Sequence, residues 1–162
     1  MWQPPVAWRP VLYVLLLDHA CKNLDPVILG GAWLPFCQLP QGIAQEVLAR
    51  LTVKTVCILG PGTTTGASGK QLGLRTTLLG FDLIQDGKLL ASDVTERDIL
   101  KATNSCPAKI VVTPIGGQGH ILGRGNHQQS PAVLRQVGVQ NLIVVASPHK
   151  IAGLPDHAMI VD

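Results

Sequence analysis

Residues 55–70 read TVCILGPGTTTGASGK. Thr55 to Leu59 is an apolar, partly β-branched run with the length of a buried strand, and it stops at Gly60-Pro61-Gly62. Ala67 to Leu72 then predicts a short helix, although Gly69 lowers its propensity. Strand, glycine turn and helix in immediate succession are the building unit of an α/β sheet. The turn also has chemistry. Gly60 and Gly62 let backbone N–H groups converge, Thr63, Thr64 and Thr65 bring three hydroxyls, and the N-terminus of the following helix carries partial positive charge. Together these suit a phosphate group. A plain strand–turn–helix junction fits the same residues. The run is not a Walker A loop, because Gly69-Lys70 is followed by Gln71 and the earlier required glycine position is Thr64. Nor does it match GxGxxG.

The same grammar continues on both sides. Ile43-Ala44, Val47-Leu48 and Leu51 recur at i, i+4 and i+8, a helical stripe. Thr76 to Leu79 reads as a second strand that Phe81 to Ile84 continues, and Asp86-Gly87 is a turn signal. Thr95 opens a helix as N-cap, with Asp98 at the N3 position of a near-capping box. Ala108 to Thr113 is a third strand, Pro131 to Val137 a helix and Asn141 to Ala146 a fourth strand; Pro148 starts another helical turn and Ala158 to Val161 a fifth strand. Apolar strands alternating with short helices predict an α/β fold: a mainly parallel sheet of four or five strands with helices on both faces. In such sheets ligands gather beyond the carboxyl ends of the strands.

A second glycine loop follows the third strand. Residues 113–126, TPIGGQGHILGRGN, hold five glycines in fourteen residues, at Gly116, Gly117, Gly119, Gly123 and Gly125. Arg124 offers a guanidinium fork for phosphate or carboxylate, and Gln118, Asn126, Gln128 and Gln129 offer amides for a base or ribose. By glycine content alone, a mobile surface loop is the favoured reading of the stretch. His120 and His127 have no acid or cysteine spaced to complete a metal site, so no metal ligand is assigned. Asp82, after the second strand, is a candidate for a ribose hydroxyl or a metal ion, or a solvated strand-end acid.

Composition bounds the function. At 162 residues, 46% hydrophobic and 14% charged, the chain is long and apolar enough for one folded domain. A net charge of +3 without a Lys/Arg cluster, and 4% aromatics, argue against nucleic acid as a partner. Cys21, Cys37, Cys57 and Cys106 show no CxxC spacing, which reads as reduced thiols and a cytoplasmic protein. Val11 to Leu17 is too short to span a bilayer, so no membrane is implied; Asp18-His19 stands where a signal cleavage site would need small residues, and a core strand is the better reading. Residues 1–40 carry all three tryptophans and six of the twelve prolines. They form an irregular or unrelated amino-terminal segment ahead of a regular region, 41–162.

The runs ILGPGTTTGASGKQLGLRTTLLGFDLIQDGKLL, KIVVTPIGGQGHILGRGNHQQSPAVLRQVG and NLIVVASPHKIAGL resemble the carboxyl-terminal region of the ATP- or polyphosphate-dependent NAD kinase family, in its AcoX-like branch. The resemblance covers about residues 54 to 161. It implies phosphorylation of NAD to NADP, with NAD as substrate, ATP or polyphosphate as phosphoryl donor, and magnesium. It also implies that Gly60, Gly62, Thr63, Thr64, Thr65, Asp82, Gly116, Gly117, Gln118, Gly119, Arg124, Gly125 and Asn126 face a small-molecule nucleotide or phosphate ligand. No catalytic residue is assigned, and self-association is left open. Phe81 stands where the family pattern leads one to expect valine, and His120 where it has phenylalanine.

The GGDG motif of NAD kinases does not occur in the sequence. Gly30-Gly31 is followed by Ala32-Trp33, and Gly116-Gly117 by Gln118-Gly119. The expectation is a truncated or fragmentary family member, inactive alone. The alternative is a non-catalytic phosphate- or sugar-phosphate-binding module, since strand–GPGTTT–helix also resembles sugar-phosphate isomerase and DeoR-type effector domains.

Overall fold

The computed structural model describes residues 13–16, 39–115, 119–123, 126–147, 150, 152–154 and 159–161. The strand-forming runs give β1 (Tyr13–Leu16), β2 (Val56–Leu59), β3 (Asp82–Gln85), β4 (Lys88–Ala91), β5 (Ala108–Val112), β6 (His120–Leu122), β7 (Leu142–Ala146) and β8 (Ile160–Val161). The helices are α1 (Leu39–Ala49), α2 (Thr63–Gln71), α3 (Glu96–Thr103) and α4 (Pro131–Val137). Six strands form one sheet in the order β1-β7-β5-β2-β3-β4, and β6 and β8 pair separately. From β1 to β2 the neighbours run parallel; β3 and β4 are antiparallel additions. The expected α/β class and five-strand sheet within residues 54–161 are thus present, mostly parallel in the core, and β1 from the run at 11–17 adds a sixth strand.

Strand period two divides the core between the faces. Ile58, Ile110, Val112 and Val144 pack with Ile99 of α3 and with Val133 and Val137 of α4. Cys57, Leu59, Val111, Ile143 and Val145 point the other way and pack with Ile43 and Val47 of α1. The predicted stripe of α1 is therefore its buried face, and α2 lies against α1 on that side. Each strand buried on both faces reads as a continuous apolar run, as central parallel strands must.

Three expectations change. Thr76 to Leu79 is not a strand. Asp82 takes the Thr77 N–H at 2.6 Å and the Thr77 hydroxyl at 3.0 Å, so the segment's donors serve a side chain rather than a ladder. Leu78 and Leu79 are 59% and 85% exposed, so this apolar run stays out of the core. The next strand, β3, consequently returns antiparallel to β2, with Leu59 opposite Asp82. The fifth strand, β8, pairs with β6 rather than entering the main sheet. The main sheet's fifth strand is instead β4. Asp86 and Gly87, at φ 49° and 74°, form the two-residue turn that reverses β3 into it. The helical turn expected from Pro148 begins outside the described residues.

Candidate functional site at the carboxyl edge of the parallel strands

β2, β5 and β7 end on the same edge of the sheet. The Gly60 N–H extends the β2–β5 ladder by donating to Val111 O at 2.8 Å. A Cβ on Gly60 would lie 2.9 Å from that carbonyl oxygen, so glycine is what lets the turn follow the neighbouring strand this closely. Gly62 then adopts φ 115°, donates to Leu78 O at 2.9 Å, and sits against Thr113: a Cβ on it would be 2.9 Å from Thr113 Cγ2. The glycine turn after β2 and the exit of β5 are therefore in contact.

From here the connections diverge. β2 leads into α2, beside α1, whereas the chain after β5 reaches α4 on the opposite face. Such divergence opens a crevice at the strand ends. The N-terminus of α2 faces it with no side-chain cap. The first helical bond is donated by the Gly66 N–H to Gly62 O, so the N–H groups of Thr63, Thr64 and Thr65 precede any intrahelical partner. Thr63 is exposed and Thr64 half-buried. Thr65 has a different task. Its fully buried hydroxyl turns back to Pro61 O at 3.0 Å and Gly62 O at 2.9 Å, fixing the turn. An open groove of about 670 Å³ runs along α2, lined by Gly62, Thr63, Gly66, Lys70, Thr76 and Thr77. That size suits a small polar ligand.

Asp82 stands away from the groove's solvent. Its carboxylate is buried and bound to Thr77 N, Thr77 Oγ1 and, at 3.1 Å, Asp93 N. It ties the loop between α2 and β3 to the turn before α3. In the second glycine loop, Gly116, Gly117, Gln118, Arg124 and Gly125 lie outside the described residues. Gly119 is buried at φ 78°, and Ile115 and His120 bridge across its base. Asn126 is buried and donates from Nδ2 to Ile121 O at 2.8 Å, while its Oδ1 has no hydrogen-bond partner among the described residues. Gln129, three residues on, is buried, and neither amide atom has a partner among the described residues. Among the described residues no group of three or more His, Cys, Asp or Glu side chains could hold a metal ion, and no helix is long and apolar enough to cross a membrane.

Sequence reasoning missed Lys150. It follows β7 as the chain follows β5, and its ammonium donates to Thr113 Oγ1 and Pro114 O, both at 3.1 Å. Its backbone N–H reaches Ser147 Oγ at 3.3 Å. Burial pushes its pKa below the ordinary 10.5. The signal was available in the parallel between IVVTP and IVVASP, two strands each ending in hydroxyl–proline. Only the first was followed into the site.

The family model described as the ATP-NAD kinase C-terminal domain matches residues 54–161. The chain belongs to the ATP-NAD kinase family. Comparison with the curated proteins and with the solved structures finds no match. The matched span of this ATP-NAD kinase C-terminal domain begins just before β2 and runs to the end of β8. It takes in both glycine loops, Asp82 and Lys150.

Proposed function

We propose that this chain forms the phosphate-binding edge of an ATP-NAD kinase of the AcoX-like branch. It would hold a phosphate of NAD, or of an ATP or polyphosphate donor, for phosphorylation of NAD to NADP. The observation that carries the reading is the uncapped N-terminus of α2, opening at Gly62-Thr63-Thr64 directly against Thr113 of the neighbouring strand's exit. The first backbone N–H groups of a helix with no side-chain cap are a ready anion-binding site. Arg124, between Gly123 and Gly125, supplies a second cation to the same loop system by its place in the sequence. The free thiols Cys57 and Cys106 suit the reducing cytoplasm, where we place the chain.

A magnesium ion held by the protein does not fit the described edge. The ion takes oxygen ligands in near-octahedral geometry; among the described residues no group of three or more His, Cys, Asp or Glu side chains gathers to hold one, and the buried Asp82 carboxylate is engaged by Thr77 and Asp93. Magnesium therefore belongs to the nucleotide in this reading. The same observation favours a second reading, a phosphate- or sugar-phosphate-binding module without catalysis. Phosphoryl transfer depends on positioned charge around the reacting oxygens. At the described edge the Asp82 carboxylate is tied to Thr77 and Asp93, the exposed Asp93 carboxylate is the acid left over, and among the described residues no group of three or more acids, histidines or cysteines gathers.

The two readings separate in one experiment. The 162-residue chain is expected to bind NAD or ATP in calorimetric titration, to lose about tenfold to a hundredfold in affinity on Arg124→Ala, and to make no NADP in a coupled assay. Magnesium-dependent NADP formation well above background would make the chain a kinase by itself. Binding of sugar phosphates with no response to NAD or ATP would select the module.

A further inference from the structure

We infer that Lys150 is an anion-contacting residue of this edge: its ammonium, held at Thr113 Oγ1 and Pro114 O, closes on a phosphate group docked against the turn after β2. The inference rests on the phosphate reading above and names a cation that such a site would use.

An ammonium has three N–H donors and no acceptor. Lys150 spends two of them at 3.1 Å, both on neutral oxygens. Among the described residues the ion pair is Arg50 with Glu46, on α1 and its end, and no carboxylate partners Lys150. A half-buried charge with only neutral partners is left short of compensation, and an anion in the crevice supplies it. Position agrees with this. Thr113 touches the ammonium through Oγ1 and lies against Gly62 through Cγ2, so a single buried side chain separates Lys150 from the start of α2. Having accepted from Lys150, the Thr113 hydroxyl keeps its own proton to donate. Three kinds of donor thus lie at neighbouring strand ends, with Thr113 between the other two: the first N–H groups of α2, the Thr113 hydroxyl and the Lys150 ammonium. They come from the ends of three successive parallel strands, β2, β5 and β7.

The rival role is a clamp. Lys150 would then only pin the exit of β5, and its charge would meet no ligand. Calorimetric titration of the full chain with inorganic tripolyphosphate, at low and moderate salt, distinguishes the two when wild type and Lys150→Met are compared. Met keeps the apolar stem and removes the charge. The expected result is an affinity lowered about tenfold to a hundredfold in the variant, with a shallower salt dependence, whether or not loss of the two hydrogen bonds also lowers the melting temperature. Equal affinity with a lowered melting temperature overturns the inference and leaves the phosphate site standing. Wild-type protein that does not bind tripolyphosphate overturns both. Should Lys150→Met fail to fold, acetylation of wild-type lysines followed by peptide mapping decides. Tripolyphosphate should slow modification of Lys150 but not of Lys88 on the far edge strand; an unchanged Lys150 rate rejects the contact.

Discussion

Gly62 and Gly66 stand four residues apart and oppose each other in what a methyl group would do. Gly62 holds φ 115°, and a Cβ there would press on Thr113 Cγ2 at 2.9 Å. Gly62→Ala should therefore cost about 1–3 kcal/mol, from strain added to crowding. At Gly66 the nearest atom to a new Cβ is Thr76 Oγ1 at 3.7 Å, an ordinary contact inside a helix. Gly66→Ala should gain about 0.5–1 kcal/mol by lowering the entropy of the unfolded chain. Urea denaturation of both variants checks the pair, and a shift of the same sign in each would refute this account of the turn. Cys57 poses a different single-residue question. Burial between the sheet and α1 pushes its thiol from the ordinary 9.0 up to about 12. At pH 8 a thiol reagent should leave Cys57 of the folded chain unlabelled while modifying the partly exposed Cys106. Between about pH 9 and 12 the unfolded thiol ionises while the folded one stays protonated. The unfolded state then binds fewer protons, so this group lowers stability as pH rises through that window.

At the scale of elements, the loop between α2 and β3 depends on one carboxylate. Asp82→Asn keeps the size but turns an N–H₂ toward donors at Thr77 N or Asp93 N, leaving one of them unmet. A loss of about 1–3 kcal/mol is expected, with faster amide exchange at Thr77 and Asp93. Unchanged exchange at both would mean that Asp82 is not the tie. This loop is also where the sequence was hardest to read. TTLL satisfies every local rule for a strand, and only a carboxylate five residues downstream withdraws its donors. A pairwise tie of that kind leaves no periodic signature. The β3–β4 hairpin was more legible than the reading made of it. Asp86-Gly87 between two apolar runs is a hairpin signal, and taking it merely as a turn lost β4. The capping box at Thr95 and Asp98, the Pro131 helix start and the strands β2, β5 and β7 were all legible, because each is written in residues that are neighbours in the chain. For Lys150 the parallel of IVVASP with IVVTP marked only the place, since its partner Thr113 is far away in sequence and adjacent in space.

For the molecule as a whole, the sheet has a protected centre and a lighter margin. β5 lies between β7 and β2 with both faces covered, whereas β4 is an outer strand with Lys88 and Leu90 exposed. Hydrogen exchange should accordingly be slowest in Ala108–Val112, requiring global unfolding, and much faster in Lys88–Ala91 through local opening. Comparable rates in the two strands would contradict this ranking. The strand order carries a further consequence, concerning time. β3 and β4 are joined by a two-residue turn, and β2 lies alongside β3 after one short helix, so this antiparallel corner closes small loops. β5 and β7 come later in the chain, and the pairing of β1 with β7 joins nearly opposite ends of it. Contacts so distant in sequence form slowly. On a ribosome the corner can assemble while β7 is still being synthesised. The crevice between three strand ends is then completed later than that corner, only when Lys150 has emerged beside Thr113.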